Sequence, residues 1–125
     1  MDDQGYAQTI EGIWNAINEQ DFDAMEGALS EDAIQEWPQS RERIRGRHNI
    51  MAINRNYPGL PKATLRRVVA DGNLVVSEAT LDYGGKIYYS VSIFELEDGK
   101  VVKETDYFAE PFEAPQWRAQ WVEKM

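Results

Sequence analysis

The sequence predicts an α+β fold in one domain, with helices first and an antiparallel sheet after them. Three observations predict it. Apolar residues recur at helical spacing along the first segment, and from Ala63 onward the pattern changes to alternation. The dipeptides Asp71-Gly72, Gly84-Gly85 and Asp98-Gly99 then divide the second half into strands joined by tight hairpins. No repeat, linker or low-complexity run interrupts the 125 residues, so 1–125 is read as a single domain.

Over Asp3–Gln20 the residues Tyr6, Ile10, Ile13, Trp14 and Ile17 form one stripe at the 3.6-residue period. Asp21 has the side chain of an N-cap and opens a second, short helix with Phe22, Met25 and Leu29 turned inward. Ala33–Trp37 is short and partly β-compatible, and Pro38 stops it by removing a backbone donor. Gln39–Arg45 is polar and read as a loop. Gly46 precedes a third helix carrying Ile50, Ile53 and Tyr57, which Pro58-Gly59-Leu60-Pro61 ends. Four strands follow, Ala63–Ala70, Asn73–Tyr83, Lys86–Leu96 and Lys100–Phe108. In the tail, Pro115 suits the first turn of a short helix presenting Trp117 and Trp121. A helix hairpin laid across long twisted strands makes a cone, and its open end is a natural pocket.

Composition excludes several chemistries. With no cysteine there is no disulfide framework, thiolate nucleophile or cysteine zinc site, and the single histidine, His48, cannot build a multi-histidine metal centre. No metal and no cofactor are expected. A formal net charge of −9 argues against nucleic-acid binding. No apolar run is long enough for a membrane span, and the start MDDQGYAQ lacks the basic and apolar regions of a signal peptide, so the expectation is a cytoplasmic protein. Between Arg41 and Arg67, however, eight basic residues face the single acid Glu42. That stretch is either a positive mouth that steers an anionic ligand or a solvated run paired with acids elsewhere.

Five segments in order carry a resemblance: W-N-A-I-N-E-Q-D-F-D-A-M, L-S-E-D-A-I-Q-E-W-P, R-I-R-G-R, F-E-L-E-D-G-K-V-V and E-T-D-Y-F. From Tyr6 to about Phe108 the chain resembles the nuclear transport factor 2-like superfamily, in its SnoaL-like, polyketide cyclase-like branch. The resemblance implies a cone-shaped curved antiparallel sheet packed against three N-terminal helices, a cystatin-like α+β roll, commonly a homodimer through the sheet. It does not settle function, because the superfamily holds enzymes, binders and scaffolds. The ketosteroid isomerase set requires a tyrosine, a carboxylate base and a protonated acid, and the matching positions here hold Ile13, Trp37 and Ser92. The limonene-epoxide hydrolase set requires an Arg and two Asp; its positions hold Ala79, Leu81 and Asp106, so one group of three is kept.

Glu104 and Asp106 lie two apart on the last strand and share a face, which the resemblance turns toward the pocket. Two carboxylates in an apolar cone repel, which raises the pKa of at least one and makes an acid–base catalyst or an anchor for a cationic or hydroxylated ligand. Tyr88, Ser90, Ser92 and Phe94 form one face of the third of these strands, where the two hydroxyls suit a ligand or buried water. Trp14, Trp37 and Tyr57 form an aromatic wall or simply core, and Ile13 and Ile17 add apolar lining. His48 has no partner in sequence. The leading expectation is a small-molecule-binding protein for a largely apolar or aromatic ligand. The alternatives are a cyclase, isomerase or hydrolase with Asp106 as its acid–base residue, and a dimeric interaction module that uses no pocket.

Overall fold

The computed structural model describes residues 1–125. Helix α1 (Asp3–Glu19) starts where the Asp2 carboxylate accepts the Gly5 N–H at 2.8 Å, and it ends at Gln20 in the left-handed region. The expected cap at Asp21 opens α2 (Phe22–Gly27) by accepting the Ala24 N–H at 3.1 Å. Gly46, at φ 87°, allows the sharp entry into α3 (Arg47–Asn56), and its N–H is held by the Ala33 carbonyl at 2.8 Å.

The meander matches the alternation read from sequence: β3 (Lys62–Asp71), β4 (Leu74–Tyr83), β5 (Lys86–Glu97) and β6 (Lys100–Ala109), all antiparallel. Its last two hairpins turn at Gly84-Gly85 and Asp98-Gly99, all at positive φ. The first turns at Gly72-Asn73, one residue later than expected, and there the Asn73 amide donates to the Leu96 carbonyl at 3.2 Å.

Three sequence expectations are corrected. Leu29 leaves the second helix and begins β1 (Leu29–Trp37), where it is buried against the sheet. The polar run expected as a loop contains β2 (Glu42–Arg45), which is strand because Ile44 is buried and Arg43 pairs with Glu36 of β1. The sheet is also not wholly antiparallel: β1 runs parallel to β6, giving the order β2-β1-β6-β5-β4-β3. A parallel partner needs a long crossover, which no local turn signal announces.

The core lies between α1, α3 and the inner face of the sheet, with Ile10, Met51, Val75, Phe94, Leu96 and Val101 fully enclosed. Two side chains of α1 fasten it to the meander. The Asn18 amide exchanges two hydrogen bonds with the Ala63 backbone at 2.9 and 2.7 Å, and the Trp14 indole N–H donates to Ser77 Oγ at 3.1 Å. After β6 the chain ends in a short 3₁₀ turn (Gln116–Trp121) with Trp117 and Trp121 each 72% exposed. Both tail tryptophans are therefore largely exposed. No helix is long and apolar enough to cross a membrane.

Candidate functional site

A cavity of about 840 Å³ opens between α1, α3, the Tyr57–Pro61 connection and the inner face of the sheet. That size is in the range of small-molecule sites. Of the residues proposed from sequence, Trp14, Ile17, Trp37, Tyr57, Tyr88, Glu104 and Asp106 line it. Ile13, Ser90 and Ser92 do not. Ile13 is buried in the core beside the cavity, since its neighbour Trp14 takes the position that faces inward. Ser90 is enclosed with its hydroxyl unpartnered, bordering a smaller groove of about 330 Å³. Ser92 sits behind the cavity wall, where its hydroxyl donates to Asp106 Oδ1 at 2.6 Å.

Asp106 is 3% exposed. Besides Ser92, its other oxygen, Oδ2, accepts the Trp37 indole N–H at 2.9 Å and the Gln35 amide at 2.6 Å. The same Gln35 nitrogen reaches Glu104 Oε2 at 3.1 Å. β1 and β6 place this bridge, because their parallel register sets Gln35 beside Glu104. Burial raises the Glu104 carboxyl well above the usual carboxylate range; the charge of Asp106 and a hydrogen bond to it add to the rise, and the Gln35 contact opposes it. Burial and the neighbouring carboxyl thus favour the protonated form of Glu104, beside Asp106 whose two oxygens meet three donors.

The mouth is aromatic. The Tyr57 and Tyr83 hydroxyls are 3.4 Å apart, and the Tyr83 and Tyr88 rings meet edge to face at 5.3 Å. Burial and Tyr57 raise the Tyr83 phenol beyond its ordinary range. Tyr88 donates to Glu110 at 3.1 Å, and Lys86 lies 5.1 Å above the Tyr88 ring and 3.8 Å from Glu110. The interaction with Tyr88, then the charge of Glu110, raise Lys86 further, so it stays cationic.

Gln35 was missed in sequence. The signal was there: Gln35 and Trp37 are two apart, so strand alternation places them on one face. Tyr83 and Lys86 also line the cavity unannounced, and Phe108 lines it from the strand face it shares with Glu104 and Asp106. None of the eight basic side chains between Arg41 and Arg67 lines it. Arg43 pairs with Glu36, Arg55 with Asp23 and Glu26, and Arg67 with Glu78, while Arg47 donates to the Leu29 carbonyl. This run holds the outside of the fold together. His48 is exposed at the start of α3. No group of three or more His, Asp or Glu side chains converges as a metal site.

Comparison with known proteins fits this architecture. Residues 10–104 match the SnoaL-like domain model. The chain is 31% identical over 105 residues to the epoxide hydrolase EphG of Mycobacterium tuberculosis, covering 79% of this chain and 70% of that protein. A nuclear transport factor 2-like protein of unknown function from Burkholderia xenovorans superposes with a TM-score of 0.88 at 43% identity, covering 98% of this chain and 96% of the other. A candidate ketosteroid isomerase from Kribbella flavida superposes with a TM-score of 0.93 at 30% identity, covering 99% and 92%. The curved sheet, the helices laid across it and the matched residues together make this chain a member of the SnoaL-like family of the nuclear transport factor 2-like fold.

Proposed function

We propose that the chain binds a small, largely apolar or aromatic molecule in the cone cavity, with Glu104 and Asp106 orienting it. One observation carries this reading: a cavity walled largely by aromatic and aliphatic side chains holds, away from the polar groups of its mouth, the hydrogen-bonded Gln35–Glu104–Asp106 cluster. Native mass spectrometry of the purified protein, followed by denaturation, tests it by releasing any molecule held there. A released aromatic or apolar compound, with Trp37→Ala weakening its affinity more than it lowers stability, supports the reading. Failure of every compound in a thermal-shift screen of aromatic and polyketide-like molecules overturns it.

A second reading has the cavity catalyse proton transfer to the bound molecule. Asp106 spends its oxygens on Ser92, Trp37 and Gln35, whereas Glu104 has only the Gln35 contact among these and a raised pKa. Glu104 is thus the better placed acid and Asp106 the group that orients it. The kinship with an epoxide hydrolase makes epoxide opening the first reaction to assay, although the Arg and one Asp of the limonene-epoxide hydrolase set are replaced here by Ala79 and Leu81. Turnover lost in both Asp106→Asn and Glu104→Gln supports an acid–base role; unchanged turnover in both removes the pair from it.

The homodimer expectation is carried forward on the outer sheet face, where Val69, Leu74, Tyr89, Val91 and Tyr107 are exposed. Sedimentation equilibrium tests it: dissociation of a dimer by Tyr107→Glu supports the sheet as interface, and a monomer at all concentrations overturns it.

A further inference from the structure

We infer that the cavity selects a small organic ammonium ion whose apolar body packs among the aromatic walls and whose cationic head meets Glu104 and Asp106. This inference rests on the ligand-binding reading of the same cavity and adds the charge of the ligand.

The argument is a missing counter-ion. Buried carboxylates in folded proteins are ordinarily paired with a cation, because leaving water costs far more than neutral hydrogen bonds return. Every salt bridge in the molecule lies elsewhere, and neither Glu104 nor Asp106 takes part in one. The only cationic side chain on the cavity wall, Lys86, is spent at the mouth on Glu110. Between the two inner carboxyls stands the neutral amide of Gln35, which reaches both but carries no charge.

The walls fit the same class of ligand. Trp14, Trp37, Tyr57, Tyr83, Tyr88 and Phe108 border the cavity, and aromatic faces attract organic cations. The mouth already displays that chemistry with a side chain, since Lys86 lies over the Tyr88 ring with Glu110 beside it. Deeper in, aromatic rings and carboxyls recur with no protein cation among them. The acidity of the whole chain, with a net charge of −9, favours approach of a cation over an anion.

Burial, and then the charge of Asp106, favour the protonated form of Glu104. An ammonium head replaces that proton. The titratable groups facing Glu104 around the cavity are Asp106 beside it and Glu110, Lys86, Tyr57, Tyr83 and Tyr88 toward the mouth; α1, β1 and the body of α3 contribute none. Affinity for an ammonium ion therefore rises with pH as Glu104 gives up its proton, and binding below that point releases a proton to the buffer.

The test compares 2-phenylethylammonium with 2-phenylethanol, which share a body and differ in charge, by calorimetry on the full unmodified chain. The expected result is that the ammonium ion binds at least about tenfold tighter than the alcohol near neutral pH. Its affinity should climb as pH rises above the ordinary carboxylate range, and proton release should appear as a heat that depends on the buffer. Glu104→Gln should abolish the climb. An alcohol that binds as well as the ammonium ion, or ammonium affinity that falls with pH, overturns the charge preference and leaves the ligand-binding reading intact. Absence of binding by both probes, together with a blank screen of neutral aromatic compounds, overturns both. The ligand pair is read on the wild-type protein, so the outcome does not depend on a variant folding.

Discussion

Glu36 and Glu104 stand on neighbouring strands of one sheet, and their environments push them in opposite directions. Glu36 points outward, where Arg43 holds it at 2.7 Å and Lys103 at 3.3 Å, and its carboxyl is lowered chiefly by the Arg43 hydrogen bond and then by Lys103. Glu104 points inward, where burial and Asp106 raise it. The outer face distributes charge in pairs that water shares. The inner face concentrates charge without a partner, and that is where the cavity lies. Residue type alone does not mark a candidate carboxyl; the face it occupies does.

The largest expected effect separates the faces by packing. Phe94→Ala, on the inner face and 1% exposed, should cost about 4 kcal/mol in chemical denaturation, whereas Val91→Ala on the outer face should cost less than about 1 kcal/mol. Equal costs would mean the outer face is buried too, as in a dimer. Next is Asp106→Ala, which strands the Trp37 indole, the Gln35 amide and the Ser92 hydroxyl and should cost about 3 kcal/mol, with Asp106→Asn recovering part of it.

A smaller effect turns on pH. Because the folded-state pKa of Glu104 is raised, its stabilising contribution is full below the ordinary value of 4.5 and is lost as pH rises through the folded value. Glu104→Gln should therefore raise neutral-pH stability and flatten the decline that begins above 4.5. Glu36 works in the other direction. Its contribution is present above 4.5 and is lost as pH falls through its lowered value, so Glu36→Gln should weaken the fold slightly at neutral pH and not at strongly acidic pH. Parallel pH profiles for the two variants would break the comparison. Smallest of all, Trp121→Ala should change monomer stability by less than about 0.5 kcal/mol, because that indole touches little of its own domain.

The legibility of this fold follows the same division. The meander was readable because each of its strands alternates and each hairpin carries a glycine, so local signals state both the turn and the face. β1 and β2 were obscured because Pro38 and four arginines read as loop chemistry, and their strand character comes from contacts far away in the chain. The candidate carboxyls were found from their two-residue spacing. Gln35, which couples them, shares a face with Trp37 by alternation, but nothing local says that the short run before Pro38 reaches β6. Ser92 was found with the wrong role: its position on the inner face was legible, but its placement behind Asp106 rather than in the cavity was set by the cross-strand register Ser92↔Asp106.

The parallel pairing of β1 with β6 also sets an order of assembly. Gln35 is separated from Glu104 and Asp106 by almost the whole meander, whereas the hairpins from β3 to β6 close over two-residue turns. Closing a long loop costs more entropy than closing a short one, and contacts distant along the chain form late. The meander can thus zip up by itself, while the polar floor exists only after the first and last strands meet. The cluster that closes the inner end of the cavity is therefore expected to be among the last parts of the fold to form.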